Sequence, residues 1–200
     1  MRTTAEETQR NDEIIIAAAI KVFSEKGYDA ASMQDIADEA KISRGPLYYR
    51  YKTKKDIFMA AMDAYAKCEL EEQARILRQK IPVNERIREY LHYATKYARN
   101  NSAVFPMDIF TDSDMQDVNE RIREIYAWSA TLTGRFVQAA VAAGELKPET
   151  DVTGLVNLMF IIYDGLRYSH TKSGIIPTQE QVEKTIEQIS NLLIAGYGTE

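Results

Sequence analysis

Apolar residues recur along the chain at intervals of three and four residues, which is the spacing of one face of an α-helix. No stretch alternates between polar and apolar residues, and no hairpin dipeptide joins two apolar segments. With 9 glycines and 5 prolines among 200 residues, the chain is also poor in turn-forming residues. The pattern therefore predicts an all-α fold with about nine helices and no strands.

Local start and stop signals set the bounds of these helices. Ser32 and Ser43 each begin a short helix, and Thr178 with Gln181 forms a capping box before the last helix. Gly27 ends the first apolar segment. We predict longer helices over residues 12–26, 53–79, 84–99, 114–143, 152–171 and 178–195, with a short helix and loops over residues 100–113.

Positive charge is concentrated in one short segment, although the formal net charge of the whole chain is −5. Residues 41–55 contain lysines and arginines but no aspartate or glutamate. A charge run is often a solvated turn, but a compact basic segment on an acidic protein also suits a polyanion bound on one surface. The same segment holds Tyr48, Tyr49 and Tyr51, which a solvated turn does not explain.

The two short helices in and before this basic segment have the lengths and the short connection of a helix-turn-helix. In such a motif the second helix enters the major groove of DNA with its N-terminal side chains against base edges. Leu47 and Tyr51 lie four residues apart and are expected to pack inward. The outward positions would then be Arg44, Gly45, Pro46, Tyr48, Tyr49 and Lys52.

A longer pattern extends over about residues 13–60. It consists of Ile15, Ala18, Ala19, Val22, Phe23, Gly27, Tyr28, Ala31, Ser32, Met33, Ile36, Ala37, Ala40, Ile42, Ser43, Gly45, Leu47, Tyr48, Tyr51, Thr53 and Lys54. In this pattern the chain resembles the DNA-binding domain of the TetR family of transcriptional regulators. The resemblance implies an N-terminal three-helix DNA-binding domain over residues 1–53. A larger helical domain over residues 54–200 would bind an effector and dimerise.

The resemblance also implies roles for single residues. It places Arg44, Gly45, Pro46 and Tyr49 against base edges, and Ser32, Tyr48 and Lys54 on phosphates. From charge and position we add Arg50 and Lys52 to the DNA-binding residues. The chain departs from the family at Lys41, where glycine is usual in the turn. If the φ angle there is positive, a non-glycine residue costs on the order of 1 kcal/mol.

For the larger domain, the resemblance implies a homodimer interface on the last two helices. These helices are strongly apolar, which favours a dimer contact, although the core of a single chain is the alternative explanation. The candidate dimer contacts are Leu155, Leu158, Ile162, Val182, Ile186, Ile189 and Leu193. An effector pocket would lie in the middle of the chain, where aromatic residues cluster, although most such residues are ordinary core. The candidate ligand contacts are Tyr93, Tyr97, Phe105, Phe110, Trp128, Phe136, Phe160 and Tyr163.

The function expected from these features is that of a ligand-responsive transcriptional regulator, with repression as the expected mode. It would bind a pseudo-palindromic double-stranded DNA operator as a homodimer and leave it when a small-molecule effector binds. We expect no cofactor and no metal. The alternative is a helical ligand-binding protein without DNA function, which would not need the basic segment at residues 41–55.

Other classes of protein are not expected. The sequence contains no HExxH motif, glycine-rich phosphate loop or nucleophile elbow, so we do not expect the protein to be an enzyme. Cys68 is the single cysteine and fits a reducing compartment. We find no signal peptide and no apolar stretch long enough to cross a bilayer, and we expect a cytoplasmic protein without a membrane partner.

Overall fold

The computed structural model describes the backbone of residues 5–96, 104–107, 110–173 and 178–199. The α-helices of this part of the chain are α1 (Ala5–Ala30), α2 (Met33–Glu39), α3 (Arg44–Arg50), α4 (Lys54–Leu77), α5 (Val83–Ala94), α6 (Gln116–Ala142), α7 (Val152–Ser173) and α8 (Gln179–Tyr197). A short 3-10 helix, Ser113–Met115, precedes α6. Within these ranges there is no β-strand, only an isolated antiparallel bridge between Leu146 and Gly198. The predicted all-α fold is confirmed, and the number of helices agrees roughly.

The local signals in the sequence act as predicted at both ends of the chain. Thr178 Oγ1 accepts a hydrogen bond from the Gln181 N–H at 3.2 Å, and the Gln181 side chain accepts one from the Thr178 N–H at 2.8 Å. Gly27 has a φ of 74° and a ψ of 174°, so it interrupts the helical backbone of α1. A capping box and a glycine with positive φ are determined by neighbouring residues alone.

The middle of the chain differs from the prediction. α5 ends at Ala94, whereas the sequence predicts a helix to residue 99. At the C-cap residue, Thr95, the hydroxyl donates to the carbonyl of His92 at 2.8 Å, and the backbone N–H donates to the same carbonyl at 3.2 Å. Of the segment 100–113, residues 104–107 and 110–113 are described, and none of them is α-helical.

The chain divides into two compact units. The N-terminal unit comprises Met1–Glu69 and Phe105–Ile122, and the C-terminal unit comprises Leu70–Val104 and Arg123–Glu200. The N-terminal unit therefore includes a segment from the middle of the chain in addition to α1, α2 and α3.

An aromatic cluster forms much of the core of the N-terminal unit. Phe58 of α4 is fully buried, and its ring centroid lies 4.9 Å from those of Phe23 and Tyr28. The same ring lies 5.2 Å from Phe105 and 5.7 Å from Phe110, which precede α6. Aromatic pairs at such separations add about 0.5–1.5 kcal/mol each beyond the burial of apolar surface. The segment before α6 is thus part of this core.

Ion pairs hold the same segment on α4. Lys55 Nζ lies 2.9 Å from Asp117 Oδ2 and donates to the Asp114 carbonyl at 3.0 Å. The hydrogen bond between Lys55 and Asp117 raises the pKa of the lysine and lowers the pKa of the aspartate. Arg121 Nε donates to Asp63 Oδ1 at 2.7 Å. All of these groups are at the surface, so the pairs orient the segment more than they stabilise it.

The C-terminal unit has its own apolar core. Tyr90 and Leu91 of α5, Val137 of α6 and Ile186 of α8 are buried together in it. α5 packs against both α7 and α8. The Lys147 N–H donates to the Tyr197 carbonyl at 2.8 Å, which joins the loop after α6 to the end of α8. None of the described helices has the length and hydropathy needed to cross a membrane.

The turn between α2 and α3 contains a strained residue. Lys41 has a φ of 57° and is the one non-glycine residue with positive φ in the part of the chain that the structure describes. The turn is fixed by a hydrogen bond from the Lys41 N–H to the Asp38 carbonyl at 3.1 Å and by one from Ile42 to Ala37 at 3.0 Å. The departure from the family's usual glycine thus falls on a backbone conformation that favours glycine.

Lys41→Gly is expected to increase the free energy of unfolding by about 1 kcal/mol, because a Cβ in the left-handed region is unfavourable. Urea unfolding followed by circular dichroism measures the gain. Lys41→Ala is the matched control, since it removes the same charge and keeps the Cβ. Equal stability of the glycine and alanine variants would contradict the assignment of strain to this position.

Candidate nucleic-acid interface

α2 begins with reciprocal hydrogen bonds between Ser32 and Asp35. Ser32 Oγ accepts from the Asp35 N–H at 3.2 Å, and Asp35 Oδ2 accepts from the Ser32 N–H at 2.9 Å. Lys26 of α1 donates to Asp35 Oδ1 at 2.6 Å. The bond from Lys26, with those from Ser32, lowers the pKa of Asp35 to about 2. The stabilisation from this carboxylate is complete above its ordinary pKa of 3.8 and is lost as the pH falls through about 2.

α3 is anchored by one fully buried side chain. Leu47 is 0% exposed, and the Tyr51 N–H donates to the Leu47 carbonyl at 2.8 Å at the end of the helix. The Tyr51 side chain is half-buried, and this burial raises the pKa of its hydroxyl. These two residues are the ones that the spacing in the sequence predicts to face inward.

The other side of α3 faces solvent. Tyr49 is 82% exposed and Tyr48 is 44% exposed, which is unusual for aromatic rings. Exposed side chains or backbone occur at every position that the sequence predicts to face outward, namely Arg44, Gly45, Pro46, Tyr48, Tyr49 and Lys52. Aromatic and basic groups are thus exposed on a short helix whose opposite side is anchored in the core by Leu47.

Arg44, the first residue of α3, is connected to α2 by side-chain hydrogen bonds. Its Nε donates to Gln34 Oε1, and Gln34 Nε2 donates to Asp38 Oδ1 at 2.5 Å. Gln34 and Asp38 lie four residues apart on α2, so they share one face of that helix. The sequence analysis did not identify Gln34, because a single polar residue on a short helix carries no periodic signal.

Two cations near the end of α3 make contacts within the N-terminal unit. Lys52 Nζ donates to the carbonyls of Tyr48 at 3.2 Å and Tyr49 at 3.1 Å, where the helix leaves carbonyls free. Arg50 Nη2 donates to Asp12 Oδ2 of α1. Both side chains are exposed, so these contacts leave them accessible to a further partner.

Lys54 and Ser32, which the resemblance places on phosphates, both have partners in the same unit. Lys54 Nζ donates to the carbonyls of Tyr28 at 2.8 Å, Asp29 at 3.2 Å and Ala31 at 3.1 Å. The ammonium also lies 4.4 Å from the centre of the Tyr28 ring. An ammonium has three N–H donors, so a phosphate contact would require Lys54 to exchange one of these bonds. The Ser32 hydroxyl donates to Asp35 Oδ2 at 2.7 Å.

Most of the apolar residues predicted at a dimer interface lie in the core of a single chain. The buried ones are Leu155, Val182, Ile186 and Leu193, and Ile162 and Ile189 pack partly buried against the same core. Leu158 remains at the surface. The same two helices also expose Ile161 at 72% and Leu192 at 73%, which the sequence analysis did not select. An apolar pattern marks both core and interface positions, and only the packing of the chain separates them.

The aromatic residues predicted to contact a ligand lie in both units. Phe105 and Phe110 belong to the aromatic cluster around Phe58 in the N-terminal unit. In the C-terminal unit, Phe136 and Tyr163 are buried, Tyr93 and Phe160 are half-buried, and Trp128 is 48% exposed. Tyr97 lies outside the described residues.

A chain of buried polar side chains crosses the core of the C-terminal unit. Ser129 Oγ donates to Gln73 Oε1 at 3.1 Å, and Gln73 Nε2 donates to Tyr163 Oη at 3.4 Å. The Tyr163 ring lies 4.7 Å from that of Tyr90, and burial raises the pKa of the Tyr90 hydroxyl. Arg167, one helical turn beyond Tyr163, is also buried. The sequence analysis did not select Gln73, Ser129 or Arg167, because polar residues do not stand out in an apolar periodicity.

Comparison with known proteins supports this description. A family model described as bacterial regulatory proteins, tetR family, matches residues 15–61. The uncharacterized HTH-type transcriptional regulator YuxN of Bacillus subtilis (strain 168) is 35% identical over 57 residues, which is 28% of this chain. That match spans 20% of the length of YuxN.

Two solved structures share the fold over nearly the whole chain. The transcriptional regulator FadR from Bacillus subtilis, in complex with stearoyl-CoA, has a TM-score of 0.72 and 20% identity over 92% of this chain and 98% of its own. A cysteine mutant of the TetR family transcriptional regulator CifR, in complex with 26 bp double-strand operator DNA, has a TM-score of 0.77 and 17% identity. This second match covers 90% of this chain and 94% of CifR. Residues 15–61 therefore match the tetR family of bacterial regulatory proteins, and the chain shares its fold with these two solved structures.

Proposed function

We propose that this protein is a ligand-responsive transcriptional regulator, acting as a repressor, that binds a pseudo-palindromic DNA operator as a homodimer. A small-molecule effector would release it from the operator. We assign DNA binding to residues 1–53 and effector binding and dimerisation to residues 54–200. We assign no enzymatic activity.

The observation that carries this proposal is the exposure of α3. Tyr49 is 82% exposed on a helix whose opposite side is anchored by the fully buried Leu47. The surrounding segment, residues 41–55, contains no acidic residue. A rigid aromatic and basic helix suits a polyanion, and the major groove, about 12 Å wide, admits a single helix. A helical ligand carrier has no use for such a surface.

Each exposed group of α3 has a chemical role in this proposal. Arg44, at the N-terminal end of the helix, reads a base edge, since a guanidinium donates two parallel hydrogen bonds to guanine. Tyr49 contacts bases, with Gly45 and Pro46 allowing close approach of the backbone. Phosphate contacts from Ser32, Tyr48, Arg50, Lys52 and Lys54 would fix the position of the helix without reading sequence.

Dimerisation follows from the size of the recognition helix. One short helix reads only a few base pairs, and two-fold symmetry doubles the site with half-sites about one helical turn apart. The exposed Leu158 and Ile161 of α7 and Leu192 of α8 are apolar side chains that a single chain leaves in water. We propose that these three residues, rather than the buried ones on the same helices, form the centre of the dimer interface.

Arg44→Ala tests the DNA-binding function. An operator is first selected from random double-stranded DNA with the unmodified protein. The variant is then expected to lose affinity for that operator by about 1–3 kcal/mol and to relax base preference at one position of each half-site. Affinities are measured by fluorescence anisotropy at several salt concentrations, because phosphate contacts respond strongly to salt.

Arg78→Ala is the matched control, since it removes an exposed arginine in the C-terminal unit and should leave operator affinity unchanged. Equal losses on operator and random DNA would show that Arg44 does not read bases. Failure of the unmodified protein to select any sequence would favour the helical ligand-binding protein without DNA function.

For the effector, we propose an amphipathic molecule bound in the C-terminal unit. Tyr93, Tyr97, Trp128, Phe136, Phe160 and Tyr163 are the proposed apolar contacts, and we assign Phe105 and Phe110 to the packing of the N-terminal unit. The polar chain of Gln73, Ser129 and Tyr163 offers hydrogen-bonding groups inside an apolar core, as ligand sites commonly do.

Stearoyl-CoA, the ligand in the FadR structure, is a suitable first probe of this site. Trp128 is the single tryptophan and adjoins Ser129, so binding is expected to change its fluorescence. Gln73→Leu is expected to weaken binding of a ligand that uses the polar chain by about 1–3 kcal/mol. Operator release at the same ligand concentration in the variant and the unmodified protein would exclude Gln73 from the effector site.

A further inference from the structure

The start of α3 is connected to α2 by side chains as well as by the turn. Arg44 Nε donates to Gln34 Oε1, and the amide of Gln34 is itself held by Asp38 at 2.5 Å. These three residues lie at the solvent side of the helix-turn-helix, and Gln34 is half-buried. The hydrogen bond from Arg44 to Gln34 therefore orders the Arg44 side chain on the solvent-exposed side of the helix-turn-helix.

The direction of these two hydrogen bonds follows from the chemistry of the Asp38, Gln34 and Arg44 side chains. The ionised carboxylate of Asp38 only accepts hydrogen bonds, so the NH₂ group of Gln34 turns towards it. The carbonyl oxygen of Gln34 is then directed to Arg44. A guanidinium has five N–H donors in a planar fork, and the bond to Gln34 uses the one on Nε. The bond to Gln34 does not use the outer N–H of either Nη group, and these two parallel donors match the O6 and N7 atoms of guanine.

We propose that Gln34 is a positioning residue for Arg44 and that Asp38 fixes the orientation of Gln34. This inference rests on the proposed function, because it concerns the reading of an operator base by Arg44. Free arginine samples many rotamers, and ordering such a side chain on binding lowers affinity. A guanidinium that is ordered before DNA arrives avoids that loss, so Gln34 contributes to affinity and base discrimination without touching DNA.

A double-mutant cycle tests the inference. In the otherwise unmodified protein, Gln34→Ala is expected to weaken operator binding about fivefold, the amount that corresponds to ordering one long side chain. It is expected to relax base preference at the same base pair as Arg44→Ala. In the Arg44→Ala background, Gln34→Ala is expected to change affinity by less than about twofold, because the group that it positions is absent.

Two variants of Asp38 test whether its hydrogen bond with Gln34 fixes the orientation of Gln34. Asp38→Asn keeps an oxygen that accepts from Gln34 and is expected to retain the discrimination between operator and mismatched DNA. Asp38→Ala removes the acceptor and is expected to lose discrimination at the base pair read by Arg44. Circular dichroism confirms that each variant is folded. A role in stability alone would lower binding to all sequences equally and would show no such rescue by asparagine.

A measurement without DNA gives independent evidence. In the free protein the Hε–Nε signal of Arg44 is expected to show restricted motion by ¹⁵N relaxation, and Gln34→Ala is expected to release it. Equal mobility of this signal in both proteins would overturn the inference. So would additive effects of Gln34→Ala and Arg44→Ala, which would indicate that Gln34 contacts DNA itself. If the unmodified protein selects no operator, the proposed function fails as a whole, whereas additivity on a selected operator removes only the positioning role.

Discussion

Phe58→Ala is expected to lower the free energy of unfolding of the N-terminal unit by about 3–5 kcal/mol. The ring of Phe58 is 0% exposed and lies within 5.7 Å of the ring centroids of Phe23, Tyr28, Phe105 and Phe110. Truncation to alanine leaves a ring-sized cavity and removes all of these contacts together. Urea unfolding followed by circular dichroism measures the loss, and amide hydrogen exchange in α1, α2 and α3 assigns it to this unit.

The control for this variant is Tyr49→Ala, which removes a ring of similar size from the surface of the same unit. Because Tyr49 is 82% exposed, its truncation should change the free energy of unfolding by no more than about 0.5 kcal/mol. A loss below about 1 kcal/mol for Phe58→Ala would show that the cluster repacks around the missing ring and that Phe58 is not its centre.

Ile161→Glu is expected to convert the proposed homodimer into monomers and to abolish measurable binding to the selected operator. Ile161 is 72% exposed in the single chain, so the change costs little within that chain. In a dimer that covers this residue, the same change buries a carboxylate without a partner, and its two copies face each other across a two-fold axis. A monomer carries a single recognition helix and reads only half of the operator. Sedimentation velocity gives the oligomeric state, and fluorescence anisotropy gives the operator affinity.

Ile14→Glu is the matched control for the oligomeric state. It makes the same change at an isoleucine that is 43% exposed on α1 in the N-terminal unit, and it should leave the dimer intact. Leu192→Glu on α8 should reproduce the effect of Ile161→Glu. A dimer that survives both changes, on α7 and on α8, would place the interface elsewhere on the chain.

The features that the sequence predicted well are those governed by neighbouring residues. The start of α2 at Ser32 and the start of α8 at Thr178 depend on a side chain that bonds a backbone N–H three residues away. The inward side of α3 follows from the spacing of Leu47 and Tyr51. Interactions of this short range depend on a few consecutive residues, so the sequence alone is enough to predict them.

The features that the sequence did not predict depend on contacts between distant residues. Nothing near Phe105 indicates that its ring packs on α1 and α4. The same is true of Lys54, whose ammonium bonds carbonyls at the end of α1. On α7, the periodicity gives Leu155 and Ile161 the same apolar character, yet the first is buried and the second is exposed. Which apolar residue is covered depends on the neighbouring helices, and a single periodicity does not contain that information.

The composition of the N-terminal unit also has a consequence for the synthesis of the protein. A ribosome releases α1, α2 and α3 before it has made Phe105–Ile122, which belong to the same unit. Until that later segment emerges, Phe58 lacks two of its neighbouring rings, and a nascent or prematurely ended chain exposes apolar surface that favours aggregation. The N-terminal unit that contains the helix-turn-helix is therefore completed only after more than half of the 200 residues have been translated.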